Sequence, residues 1–108
     1  MQLVAVYTTM DDRDSARRLA RELVQRKLAA CAQIDEVESF YTWQHELQNE
    51  AEWRVMFKTT LASYPDAEAA IRELHPYELP AIYAVALEQV FAPYANWVEE
   101  GSSPNSDE

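Results

Sequence analysis

Residues 36–43 and 51–58 both alternate in character, and a period of two is the mark of a strand with two unlike faces. Val37, Ser39, Tyr41 and Trp43 share one face of the first run, and Glu36, Glu38, Phe40 and Thr42 take the other. In the second run Ala51, Trp53, Val55 and Phe57 oppose Glu52, Arg54, Met56 and Lys58. A polar segment, residues 44–50, separates the two runs. The pattern predicts a long antiparallel hairpin with large side chains on both faces. A single two-layer domain of 108 residues can cover one such face. The other needs a partner surface, and self-association is the simplest cover.

The remaining elements are short. Residues 2–8 are apolar and rich in β-branched residues, which reads as a buried strand. Thr9 and Asp11 are candidate caps for a helix over 11–27, where Ala16, Leu19, Ala20, Leu23 and Val24 recur at helical spacing. Arg13, Arg17 and Arg21 form a stripe on its other side, which reads as a solvated, salt-bridged face. A second apolar run, 28–34, leads into the hairpin. Ser63 with Pro65 gives a capping signature for a helix carrying Ala67, Ala70, Ile71 and Leu74, which Pro76 stops. A strand over 81–87 and a short helix opened by Pro93 follow, the helix with Tyr94, Trp97 and Val98 on one side. The order β-α-β-β-α-β plus a terminal helix predicts an α+β, ferredoxin-like sandwich, an antiparallel sheet with helices on one face. Residues 1–100 are expected to form one domain. The polar stretch 101–108 is expected to be a disordered, dispensable tail.

Composition removes whole classes of function. Gly101 is the only glycine, so neither a G-x-G-x-x-G loop nor a Walker loop is present. Nine basic residues stand against 19 acidic ones, a formal charge of −10 and the wrong sign for a nucleic-acid partner. No run approaches the length of a membrane helix, so no membrane partner is expected. One cysteine, Cys31, excludes an internal disulfide framework and multi-cysteine zinc patterns. With no basic leader at Met1–Ala5, a cytoplasmic location is expected.

Six motifs then occur in order: Thr8-Thr9, Lys27 to Ala32, Ser39 to Trp43, Glu52 with Phe57 to Thr60, His75 to Pro80, and Tyr94 with Trp97-Val98. Together, over residues 2–98, they resemble the CutA family of divalent-cation tolerance proteins. The resemblance implies a ferredoxin-like subunit assembled as a PII-like homotrimer, with the hairpin helping to join subunits. It also implies an association with metal tolerance and copper binding. Some positions depart from the family pattern. His45 stands where a glycine is usual, Ala81 where a glutamate commonly follows Pro80, and Val90 and Phe91 lie near a customary glycine. Thr8 and Leu74 occupy positions at which some copper-binding members carry a cysteine and a second histidine.

Few residues can carry chemistry. His75 precedes Pro76 at a helix end, where an imidazolium suits the carbonyl terminus. Equally, His75, Tyr77 and Glu78 place an imidazole, a phenol and a carboxylate on one proline-bracketed loop, with Glu78 able to orient His75 or to ligate beside it. Cys31 lies in an Ala-Ala-Cys-Ala run and reads as a small hydrophobe. His75, Glu78 and Cys31 form the expected metal set, with His75 the principal ligand. His45 reads as an ordinary surface histidine. The tryptophans and tyrosines suit packing, with Tyr41, Trp43 and Trp53 expected between subunits. No serine has an elbow motif and no nucleophile lies close to a base in sequence, so no enzyme is expected. The expected function is divalent-cation tolerance, by a soluble homotrimer that binds copper or another divalent ion weakly. The alternative is a small-molecule-binding, PII-like regulatory trimer with its ligand in a cleft between subunits.

Overall fold

A computed structural model of the chain describes residues 1–103. Along it run β1 (Leu3–Met10), α1 (Arg13–Gln25), β2 (Cys31–Trp43), β3 (Glu46–Thr60), α2 (Tyr64–Leu74), β4 (Tyr83–Leu87) and α3 (Ala92–Gly101). The strands form one sheet in the order β2-β3-β1-β4, and each neighbouring pair is antiparallel. This is the α+β, ferredoxin-like arrangement that the element order predicts. No helix among the described residues is long and apolar enough to cross a membrane.

Register decides which side chains share a face. Opposed residues in an antiparallel pair point to the same side. Val4, Val6 and Met10 of β1 therefore join Trp53, Val55 and Phe57 of β3 on one face. There they meet Ala16, Leu19 and Leu23 of α1 and Ala67, Ala70 and Ile71 of α2 in the main core. The other face carries Tyr7, Thr9, Arg54, Glu52, Tyr41 and Trp43. α3 covers one end of that second face, where the Tyr94 hydroxyl lies 3.7 Å from Cys31 Sγ. Leu3, Ala5 and Val98 are buried outside the main core.

Several local details differ from expectation. β1 continues to Met10 because Thr8, Thr9 and Met10 pair with Val55, Arg54 and Trp53. Thr9 is thereby committed to the sheet, and Asp12, not Thr9 or Asp11, caps α1. Its carboxylate accepts the Ser15 amide and hydroxyl at 2.8 Å each. The amide bond is the main reason its pKa lies below the usual value. Ser63 occupies the cap position of α2 without capping it. Its hydroxyl donates instead to the Ser102 carbonyl at 2.8 Å. The expected tail also starts too early, since Gly101 closes α3 and Ser102 is buried. A Cβ on Gly101 would approach Ala30 Cβ to 2.9 Å, so the helix end presses against the start of β2. The rest of that tail, 104–108, lies outside the described residues.

The hairpin is longer than its polar centre suggests. Trp43 pairs with Glu46, so the turn is only Gln44-His45, and β3 resumes within the segment read as a connection. Both turn residues have positive φ, 52° and 69°, the left-handed conformation of a tight two-residue hairpin turn. Residues 46–52 of β3 pair with β2 alone, leaving a two-stranded arm beyond the four-stranded body. The radius of gyration is 14.5 Å, against about 13 Å for a compact chain of this size.

Candidate functional site

Beyond the end of the second sheet face not covered by α3, three segments enclose a cleft of about 440 Å³. The arm supplies Tyr41, Trp43, Glu50 and Glu52; the end of β1 and its following turn supply Thr9 and Asp11. The segment after α2 completes it with Tyr77, Glu78, Leu79 and Ala81. Its position follows from local chemistry. A residue before proline is pushed out of the helical region, and His75 ends α2 at φ −82°, ψ 134°. Pro76 and Pro80 bracket the segment that crosses to β4.

His75 fastens this segment to the sheet. The residue is 9% exposed. Nε2 lies 2.8 Å from the Thr9 carbonyl, and Nδ1 lies 3.1 Å from the Tyr77 amide. A carbonyl only accepts and an amide only donates, so Nε2 carries the proton and Nδ1 is an acceptor. The ring is neutral in this pairing, and burial lowers its pKa from the ordinary value. Neither nitrogen keeps a lone pair for a metal. The expected imidazolium at a helix end is also corrected, because these partners require the neutral form.

Tyr77 continues the chain of contacts. Its ring meets the His75 ring edge-on at 4.7 Å, and its hydroxyl donates to Glu52 Oε2 at 2.7 Å. Burial first, and then the Glu52 carboxylate, push this phenol far above its usual range. Glu52 is 6% exposed and forms no ion pair among the described residues. The basic groups of this region have other partners. Arg54 makes two hydrogen bonds to Asp35, at 2.9 and 3.2 Å, and lies over the Tyr7 ring. Arg13 lies over Trp53 on the opposite face.

The expected metal set is not brought together. Cys31 pairs with Lys58, whereas His75 is tied to Thr9, which pairs with Arg54. Four residues along a strand is on the order of 13 Å. Cys31 instead neighbours Tyr94, whose hydroxyl is made less acidic by burial and then by the Cys31 contact. Glu78 is exposed at the cleft rim and does not orient His75; Thr9 and Tyr77 do. Among the described residues no group of three or more His, Cys, Asp or Glu could hold a metal ion. A tight transition-metal site does not fit this donor set. The three aromatic residues expected between subunits differ in exposure. Tyr41 and Trp43 are 39% and 43% exposed beside the cleft. Trp53 packs against the main core under Arg13.

A family model described as CutA1 divalent ion tolerance protein matches residues 4–101. The chain belongs to the CutA family. The divalent-cation tolerance protein CutA of Thermotoga maritima is 36% identical over 98 residues, covering 91% of this chain and 97% of that relative. The structure of CutA1 from Shewanella sp. SIB1 matches with a TM-score of 0.89 at 37% identity, over 93% of this chain and 94% of that one. The structure titled periplasmic divalent cation tolerance protein CutA, from Archaeoglobus fulgidus, matches with a TM-score of 0.91 at 26% identity, over 94% and 99% of the two chains. Within this CutA fold, sequence reasoning missed Asp11, Glu50 and Glu52 as cleft residues. The available signal was alternation: Glu50 and Glu52 share a face with Tyr41 and Trp43 once the turn is fixed at two residues.

Proposed function

We propose that this CutA chain serves divalent-cation tolerance as a non-enzymatic, cytoplasmic homotrimer that holds copper or another divalent ion weakly in the acid-lined cleft. The observation that carries the reading is the lining itself. It contains Asp11, Glu50, Glu52 and Glu78 and no lysine or arginine, so its field favours cations. Weakness follows from the same lining, because the carboxylates do not converge as a ligand set and oxygen donors suit copper less well than imidazole or thiolate. His75 then acts by holding Tyr77 and the cleft wall in place, not by ligation.

Support for the trimer is the uncovered apolar surface on the arm and on the edge strand β4. Phe40, Tyr41, Trp43 and Leu47 are exposed on the arm, and Tyr83 and Val85 on β4. A non-enzymatic role agrees with the contacts of the two reactive side chains. Cys31 neighbours a phenol instead of a base, and both His75 nitrogens are engaged. Calorimetric titration with copper and with manganese tests the metal reading. Dissociation constants of about micromolar or weaker are expected, rising on Glu52→Gln and unchanged on His45→Ala. A nanomolar constant, or one abolished by His45→Ala alone, would overturn it.

A further inference from the structure

The outer surface of α1 and the turn after it concentrate the positive charge of an acidic chain. Arg13, Arg17, Arg18, Arg21, Arg26 and Lys27 are six of the nine basic residues, and the formal net charge is −10. Helix stability does not account for this placement. Cations suit the carbonyl end of a helix, yet Arg13 is the first residue of α1 and Arg17 follows one turn later. Ion pairing does not account for it either. Among the described residues Arg26 bonds to Glu22 at 2.8 Å, and Arg18 adds to the lowering of the Asp12 pKa. Arg17 and Arg21 form no ion pair there, and Arg13 lies over the Trp53 ring. The salt-bridged face read from the sequence is therefore only partly formed.

Arg13, Arg17 and Arg21 are exposed at four-residue steps, about 6 Å apart along the axis and about 12 Å from end to end. Val24, 37% exposed, continues the same side of the helix beyond Arg21. Ala16, Leu19 and Leu23 turn inward to the core, so the stripe lies across the sheet from the cleft. It is also apart from the arm and β4, the surfaces proposed to join subunits.

We propose that this stripe docks an acidic helix of a partner protein, its carboxylates at four-residue steps meeting Arg13, Arg17 and Arg21 and an apolar side chain meeting Val24. A guanidinium pairs with a carboxylate through two parallel hydrogen bonds. A partner helix repeats its charges at the same step as α1, and the arginine stems add apolar contact beside Val24. The shortness of the stripe selects against a long polyanion. A nucleic acid following α1 would run past Arg13 onto Asp11 and Asp12 and into the field of the −10 chain.

Fluorescence anisotropy on the intact protein tests this with a labelled alanine-based helical peptide that carries glutamate at every fourth position and one leucine. Saturable binding is expected at low ionic strength, weakening as salt is added. Arg17→Glu should weaken it at least about fivefold, because an attraction becomes a repulsion. Arg72→Glu changes the net charge equally but on α2, and should leave binding within about twofold. Moving the same number of glutamates to alternate positions should weaken binding at least about fivefold. In the unaltered protein the Arg17 and Arg21 Nε–H resonances should shift on peptide addition, while that of Arg54, held by Asp35, stays in place. Absence of binding, unmoved Arg17 and Arg21 resonances, indifference to glutamate spacing, or equal losses from Arg17→Glu and Arg72→Glu would each overturn the proposal. So would a labelled single-stranded oligonucleotide that binds as tightly as the peptide and is weakened by Arg17→Glu, since the stripe would then be a phosphate-binding surface.

Discussion

At His75 one imidazole joins three segments: α2, from which it hangs, the Thr9 carbonyl of β1, and the Tyr77 amide of the cleft wall. Protonation at Nδ1 would set a donor against the Tyr77 amide, and burial disfavours the charged ring further. The folded-state pKa is therefore depressed, while an unfolded chain protonates His75 near 6.5. Below that pH the unfolded state binds more protons than the folded one. Stability from this group is complete above 6.5 and declines as the pH falls towards the folded-state value. The urea midpoint should drop between about pH 7 and pH 5, the window of imidazole titration. His75→Asn, which keeps an acceptor for the Tyr77 amide, should flatten that slope. An undiminished slope would assign the acid sensitivity to carboxylates instead. His75, Tyr77 and Glu78 were legible as a cluster because one proline-bracketed segment carries all three. Glu52 was not. Its burial depends on a phenol 25 positions away, and a strand pattern alone reads it as an ordinary solvent-facing glutamate.

The hairpin's length and the mixed character of its faces were legible from alternation, but its turn was not. Two-residue turns of this kind usually announce themselves through Asn-Gly or Asp-Gly, and this chain spends its single glycine at Gly101. Gln44 and His45 adopt positive φ without that help. The left-handed conformation costs a side-chain-bearing residue about 1–2 kcal/mol, so replacing Gln44-His45 by Asn-Gly should raise stability by about that amount. Equilibrium denaturation checks this; a loss of stability would show that His45 makes a contact worth more than the relief. The end of α3 supports a second expectation. Gly101 presses on Ala30, and Ser102 links to Val98 and Ser63. Deleting residues 104–108 should leave the melting temperature within a couple of degrees. Deletion from Gly101 onward should lower it by about 4 °C or more, the equivalent of about 1 kcal/mol in a domain of this size. Equal melting temperatures for the two truncations would make these contacts energetically idle.

The whole molecule is 47 Å along its longest axis and only 20 Å along its shortest. The arm accounts for much of that disparity, and an isolated two-stranded hairpin is marginally stable in water. Phe40 and Leu47 are exposed on one face of the arm and Tyr41 and Trp43 on the other, while Tyr83 and Val85 are exposed on β4 and Trp97 on α3. β2 and β4 are the two sheet edges, so backbone hydrogen-bonding groups and apolar side chains are exposed on the same elements. Unlike apolar surfaces on the arm and on β4 favour a head-to-tail contact, which closes into a ring when the rotation permits. Light scattering at micromolar concentration should give three chain masses, with an interface well over about 1,000 Å² per contact. Val85→Lys places a charge on the half-exposed β4 surface without entering the main core. It should shift the mass towards one chain and leave the far-ultraviolet dichroism in place. A variant that remains fully trimeric would move the contact off β4 and onto the arm alone. A wild-type mass of one chain would remove the assembly altogether, and the arm would then have to be stable with its aromatic side chains in water.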